Sequence, residues 1–355
     1  MSEATAPPAF ARHPGGAGVF AALDLGTNNC RLLIAVPTER GYRIIDSFSR
    51  IVRLGEGLGA SGRLSEAAMA RALSALSLCA QKIRRRGATR VRAVATQACR
   101  TAANGSEFLA RVEAAIGLKL EVISPKQEAR LAVAGCLNLV DPAAKAVLVL
   151  DVGGGSTELS WLDLRRGGLE LHPRRRRYWN PPITAWLSIP LGVVSLAERF
   201  PGHGADDHSG YAAMVEAVRS EIARFDRADR LRPLFERGHA HLIGTSGAIT
   251  SLAGLHLELP RYDRNRVDGL WMRRAECEIV ANRLIAQSVA ERAAEPCIGP
   301  DRADLVLAGA AILQAVQTLW PCERVRVADR GLREGLLLSL MASPTPGAAG
   351  APRRA

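Results

Sequence analysis

The 355-residue chain has few aromatic residues, only 5% of the total. A protein that holds single-stranded nucleic acid stacks bases on aromatic side chains set among basic ones. Too few are present here, and nucleic acid is not expected as a partner. The seven cysteines (Cys30, Cys79, Cys99, Cys136, Cys277, Cys297, Cys322) are odd in number and scattered, with no CxxC pair. That pattern excludes a disulfide-stapled scaffold, a zinc ribbon and a thioredoxin-like motif, and leaves the thiols as reduced, mostly buried small hydrophobes. No stretch approaches the roughly 18 apolar residues of a membrane span, so no membrane partner is expected. Met1–Gly18 is rich in Ala, Pro and Gly and lacks an apolar h-region, so it reads as a disordered lead-in, not a signal peptide. With no targeting signal, the expected compartment is the cytoplasm. The Walker A pattern is absent, and no GxGxxG fingerprint is followed by a ribose-binding acid at the right distance.

What is present is a large apolar fraction, 48%, with 23% charged residues, enough for substantial buried cores. The length corresponds to about two domains. Lys and Arg exceed Asp and Glu by 12, an excess that suits a polyanionic partner. Val19–Leu25 and Cys30–Val36 read as two strands of a hairpin, with a third strand near Arg43–Ile51. Ser65 caps a helix through Arg84, Arg90–Thr96 is a strand, and Glu107–Ile116 is a helix. Ser124, Pro125 and Gln127 form a capping-box signature that opens a helix to about Asn138. Strands follow at Val147–Leu150, Leu159–Leu162, His241–Ile243 and Arg324–Ala328. Helices are expected near Val193–Phe200, Tyr211–Phe225, Ala248–Leu255, Ala303–Leu319 and from Leu332 to about Met341.

A strand–Asp–x–Gly–turn–strand unit occurs twice, at Asp24-Leu25-Gly26 and at Asp151-Val152-Gly153, 127 residues apart. This spacing reads as an internal duplication. Two such halves facing each other place both turns in one interdomain cleft, a favoured ligand site. The division expected is a lead-in over 1–18, domains over 19–139 and 140–341, and a disordered tail over 342–355.

The second turn carries three glycines, Gly153, Gly154 and Gly155, which permit close backbone approach and positive φ. Their N–H groups can converge on phosphate oxygens, with Ser156 and Thr157 adding hydroxyl donors. Asp151 at the strand end, joined by Glu158, can hold a divalent cation. The alternative is a tight hairpin whose Asp caps its own turn. A third turn, Gly244-Thr245-Ser246-Gly247, precedes a helix and is either a phosphate site at a helix N-terminus or an ordinary Ser/Thr cap. Glu128 in the first turn of its helix either compensates the dipole or is a general base aimed into the cleft.

Taken together, Asp24–Asn29, Ala95–Arg100, Gln127–Arg130, Asp151–Glu158 and Gly244–Gly247 resemble the exopolyphosphatase/guanosine pentaphosphate phosphatase (Ppx/GppA) family. Ser188–Val194 and Ala328–Gly335 extend the likeness. The resemblance implies the duplicated α/β fold of actin-like ATPases and sugar kinases, two ribonuclease-H-like domains around a cleft, here in the short two-domain form. It implies Mg²⁺-assisted hydrolysis of a terminal phosphoryl group, with inorganic polyphosphate as substrate or, alternatively, guanosine pentaphosphate. A non-catalytic polyphosphate sensor is the other alternative. It further implies Glu128 as catalytic base, Glu158 as a second catalytic carboxylate that orients water, and Asp24, Asp151 and Glu158 as metal carboxylates. Gly26, Thr27, Asn28, Arg100, Gly153, Gly154, Gly155, Ser156 and Thr157 fall at phosphate-binding positions, and Gly244, Thr245 and Ser246 complete the set. A homodimer is expected from the same resemblance. Arg31 stands where many members have His; pairing with a cleft phosphate and pairing with Asp24 are both open. The basic runs Arg174–Arg177 and Arg84–Arg86 either grip the rest of a polyanion or are solvated surface.

Overall fold

In the computed structural model, which describes residues 18–39, 41–165, 181–201 and 208–342, the chain forms two mixed β-sheets. The first contains β1 (Phe20–Leu25), β2 (Asn29–Thr38), β3 (Gly41–Ile51), β4 (Arg90–Ala95) and β5 (Glu121–Val122), in the order β3-β2-β1-β4-β5. The second contains β6 (Ala146–Val152), β7 (Thr157–Asp163), β8 (Ile183–Ile189), β9 (Ala240–Thr245), β10 (Trp271–Arg273) and β11 (Arg324–Ala328), in the order β10-β11-β9-β6-β7-β8. Apart from the short outer strand β10, the second sheet repeats the first. An antiparallel meander of three strands is followed by two strands parallel to the first of them. This is the duplicated ribonuclease-H-like arrangement of the actin-like fold.

Strand β1 is buried on both faces, which its sequence of small and apolar residues permits. Ala21, Leu23 and Leu25 pack with Ala68, Ala72 and Leu76 of the helix Glu66–Arg85. Phe20 and Ala22 pack on the other side with Leu131, Leu336 and Leu337. That second layer combines the helix Pro125–Cys136 with Leu332–Ala342, the last described helix of the chain. The chain thus returns from its second sheet to cover the first.

The two covering helices touch at backbone level. A Cβ on Gly335 would lie 2.0 Å from Leu131 O, and one on Gly135 would lie 2.0 Å from Gly331 O. Gly335→Ala must therefore push apart the helix that carries Glu128 and the helix that follows Asp329–Gly331. An overpacking cost of about 1–3 kcal/mol, or more, is expected because the obstruction is backbone. Urea unfolding of the variant measures it, and an unchanged midpoint would show that the crossing relaxes freely.

The sequence-derived helix caps are present. Ser65 Oγ accepts from Ala68 N (3.2 Å), and Ser124 and Gln127 form both halves of a capping box. All seven cysteines are buried and free. Among the described residues no helix is long and apolar enough to cross a membrane. Arg84–Arg86 lie at the end of their helix next to the start of β4, whereas the two Asp–x–Gly turns lie at the other end of the sheet. A six-residue strand separates the two by roughly 15–20 Å. Arg86 is also paired with Asp46 (2.9 Å), so this run does not serve the cleft as a grip for polyanion. Arg174–Arg177 lie outside the described residues.

Candidate active site

Antiparallel register gives both turns the same geometry. In the first, Leu25 pairs with Cys30 and Gly26 N donates to Asn29 O (2.8 Å). In the second, Val152 pairs with Thr157 and Gly153 N donates to Ser156 O (2.9 Å). The turns face each other directly, since a Cβ on Gly154 would lie 3.0 Å from both Asn28 N and Thr27 Cβ. Gly155 is packed more closely still, since a Cβ there would lie 2.0 Å from the Gln97 side chain, whose Oε1 accepts from Thr27 Oγ1 (3.3 Å). Gly154 and Gly155 are needed for this approach and Gly153 for its own turn, where a Cβ would lie 2.8 Å from Ser156 O; none of the three adopts a positive φ.

One cleft collects most of the expected residues. Asp24, Gly26, Thr27, Asn28, Glu128, Asp151, Gly153, Gly154, Gly155, Ser156, Thr245 and Ser246 all line it. Four expected residues stand behind the wall instead. Thr157 Oγ1 donates to Leu191 O (2.7 Å), and Gly244 packs on Ile249. Glu158 is fully buried and accepts from Ser156 Oγ (2.7 Å) and Ser188 Oγ (2.8 Å). Arg100 donates to Ile123 O (2.7 Å) and to Glu128 Oε2 (3.3 Å), so it orients the glutamate.

The duplication reveals a charge asymmetry. Asp24 pairs across the strands with Arg31, while the equivalent Asp151 pairs with Glu158. The first half therefore sets an arginine where the second sets an acid. Arg31 is joined in the cleft by Arg302, which no motif in the sequence marks, and by Arg333 of the Ala328–Gly335 stretch. Burial and the neighbouring Arg333 push the Arg31 pKa down, opposed by Asp24. None of the three arginines forms an ion pair among the described residues, so their charge faces the cleft. The Arg31 guanidinium lies over the start of the helix Gly247–His256, 3.1 Å from where a Cβ on Gly247 would be. There Ser246 has φ +95° and makes no cap hydrogen bond, which removes the ordinary-cap reading of that turn.

Around the phosphate loops, burial raises the pKa of four carboxylates. Asp24 is pushed up to about 6, with Arg31 opposing. Asp151 is pushed up to about 7, with Glu158 and Asp24 adding to burial. Glu128 is raised well above the carboxylate range by burial and by Glu158, with Arg100 opposing. Glu158 is raised by burial against its two serine donors.

Nine buried polar side-chain atoms of the described residues lack a hydrogen-bond partner, and four of them belong to cleft residues: Asp24 Oδ1, Asn28 Oδ1, Asn29 Oδ1 and Ser246 Oγ. Concentrated orphan groups of this kind mark a ligand site. No three His, Cys, Asp or Glu side chains among the described residues are grouped to cage a metal. Asp24, with its unpartnered buried oxygen, and Asp151 beside it do fit a hard cation that keeps much of its water and shares phosphate oxygens.

Comparison with known proteins agrees with this geometry. The family model described as "Ppx/GppA phosphatase family" matches residues 33–344. "Exopolyphosphatase 2" of Mycobacterium tuberculosis is 31% identical over 337 residues, covering 90% of this chain and 98% of that protein. The crystal structure of the Aquifex aeolicus Ppx/GppA family member is 28% identical with a TM-score of 0.72, covering 91% of this chain and 97% of that one. An exopolyphosphatase from Cytophaga hutchinsonii, 22% identical, shares the fold with a TM-score of 0.78 over 92% of this chain and 100% of its own.

Proposed function

Because this chain belongs to the Ppx/GppA phosphatase family, we propose that it is an exopolyphosphatase that hydrolyses the terminal phosphoryl group of inorganic polyphosphate. The observation that carries this reading is the lining of the cleft. Two phosphate loops face each other beside buried acids, and three arginines that form no ion pair among the described residues line the same space.

A polyphosphate chain suits that lining. Its inner phosphates meet Arg31, Arg302 and Arg333, where each fixed charge replaces lost hydration. Its terminal phosphoryl group meets the N–H groups of Thr27 and Asn28 in one turn and of Gly154, Gly155 and Ser156 in the other. Hydrolysis passes through a loose transition state with charge spread over the phosphoryl oxygens, so positioning and fixed donors supply most of the acceleration. Glu128, oriented by Arg100, accepts the proton of the attacking water. Its pKa, raised by burial and by Glu158, makes it a stronger base than an ordinary carboxylate. Glu158 keeps Ser156 in place through its accepted hydrogen bond and adds negative potential that sustains the basicity of Glu128. Asp24 and Asp151 would hold Mg²⁺, which when bound neutralises phosphate charge and polarises the phosphoryl oxygens.

The test is phosphate release with Mg²⁺ from long polyphosphate, tripolyphosphate and guanosine pentaphosphate. Release from the inorganic chains is expected, with KM rising as added salt screens the arginines. Release from the guanosine compound alone would move the activity to that substrate. No release from any of them would leave a binding protein.

A further inference from the structure

The first phosphate loop rests on the segment that follows β3. Asn28 O accepts from Val52 N (2.8 Å) and Arg53 N (3.0 Å), and Thr27 O accepts from Gly55 N (2.9 Å). Gly55 lies so flat against the loop that a Cβ there would come within 2.3 Å of Thr27 Cγ2. Arg71 fastens the segment to its own domain by donating to Val52 O (2.9 Å) and pairing with Glu56 (2.6 Å).

The same segment reaches across to the other domain twice. Arg53 has φ +46°, a left-handed conformation uncommon for a residue with a side chain. Its guanidinium meets both carboxylate oxygens of Asp304 (2.8 and 3.0 Å) and Asp301 O (3.1 Å). Between those two aspartates stands Arg302, one of the cleft cations. Four residues after Arg53, Gly57 N donates to Glu198 Oε1 (2.9 Å). Glu198 lies on the helix Val193–Arg199, whose first N–H groups, from Val193 and Val194, donate to Gly153 O (2.9 Å) and Gly154 O (2.7 Å). Both crossings therefore run from the backbone under one phosphate loop to an element that carries the opposing loop or a cleft arginine.

We infer that Val52–Gly57 is an interdomain strap, and that Arg53, Asp304 and Glu198 are positioning residues that set the separation of the two phosphate loops. They act through Thr27, Asn28, Gly153, Gly154 and Arg302 without touching substrate. The Arg53–Asp304 pair is also suited to release. Its side chains are 30% and 42% exposed, and partly exposed ion pairs open at small cost. A released strap lets the facing loops part so that a phosphate chain can enter between them.

The experiment measures the strap directly and through kinetics. Because all seven cysteines are buried, spin labels on Glu107→Cys and Ala212→Cys, on exposed faces of the two domains, report the interdomain distance. Arg53→Gly removes the guanidinium while suiting the left-handed backbone, and Asp304→Asn leaves that backbone untouched. Both are expected to lengthen and broaden the distance distribution. Both should raise KM for tripolyphosphate about three- to fivefold with a smaller fall in kcat, as loss of one partly exposed pair predicts. Combining Arg53→Asp with Asp304→Arg should restore the distance and most of the KM. Wild-type distances and KM in both single variants would overturn the strap, and so would a double variant no better than its parents. The kinetic arm rests on the polyphosphate reading. If the wild-type protein releases no phosphate, that reading fails, and the distance arm alone decides the strap.

Discussion

Glu128→Gln should lower kcat for polyphosphate about 10²–10⁴-fold, the usual worth of a positioned general base. Affinity for tripolyphosphate should change little. The reasoning begins with the environment of the carboxyl group. Glu128 is buried beside Glu158 and close to Asp151 and Asp24, and these together hold its pKa well up against the single opposing charge of Arg100. Neutral Gln resembles the protonated form that this environment favours, so the substitution removes the base without leaving a new buried charge. Arg100 keeps its bond to Ile123 O and stays in place. Calorimetric binding of tripolyphosphate alongside kcat separates the two contributions. A kcat within a few-fold of wild type, in a protein that still binds, would remove Glu128 from proton transfer. The pH profile supplies a second check. A base with a raised pKa works only when deprotonated, so wild-type kcat/KM should climb with pH through the Glu128 titration.

Much of this site can be read in the sequence, because its chemistry is carried by local signals. Asp24-Leu25-Gly26 and Asp151-Val152-Gly153 sit in hairpins whose geometry follows from short-range register, and the Ser124–Gln127 capping box fixes where Glu128 begins its helix. What could not be read there depends on distance through space. Nothing local marks Arg302, which lines the cleft between Asp301 and Asp304, two residues that Arg53 contacts from some 250 residues away in sequence. Gln97 falls in the Ala95–Arg100 motif, but its contact shows only when Gly155 of the other half packs against it. Glu158 looks like a cleft carboxylate from its spacing, yet Ser156 and the distant Ser188 claim the same oxygen from it. The fold shows the same division. The hairpins and capped helices appear where expected. Strand β8 and the helix Arg274–Ala286 were not anticipated; both need tertiary partners to show which face is buried. The helix expected from Ala303 begins instead at Val306, after the turn that Arg53 holds.

Asp151→Asn should abolish most activity and yet make the cation-free protein more stable at pH 8. Asp151 is half-buried at the cleft wall, and burial, Glu158 and Asp24 raise its pKa to about 7 from an ordinary value of 3.8. The folded protein then keeps a proton that the unfolded chain has already released. The stabilisation linked to that proton is complete below pH about 4 and is lost as pH rises through about 7. Asp24, raised to about 6, contributes with the same sign over a slightly lower range. A displacement as large as that of Asp151 corresponds to a ceiling of roughly 4 kcal/mol, and relaxation of the site reduces it. An amide does not titrate, so the variant escapes this loss and its Tm should fall less between pH 5 and pH 8. Added Mg²⁺ should raise the wild-type Tm at pH 8, as a ligand of the folded state does, and should do little for the variant. Activity moves the other way. Loss of one charged group that organises the phosphoryl site costs on the order of 10²–10³-fold in kcat. A variant less stable than wild type at pH 8 would mean that the Asp151 carboxylate is compensated inside the fold and is not held there for a ligand. An acid that weakens the empty protein and is required by the working one has been kept for its chemistry, and the buried, unpartnered Asp24 Oδ1 beside it fits the same reading.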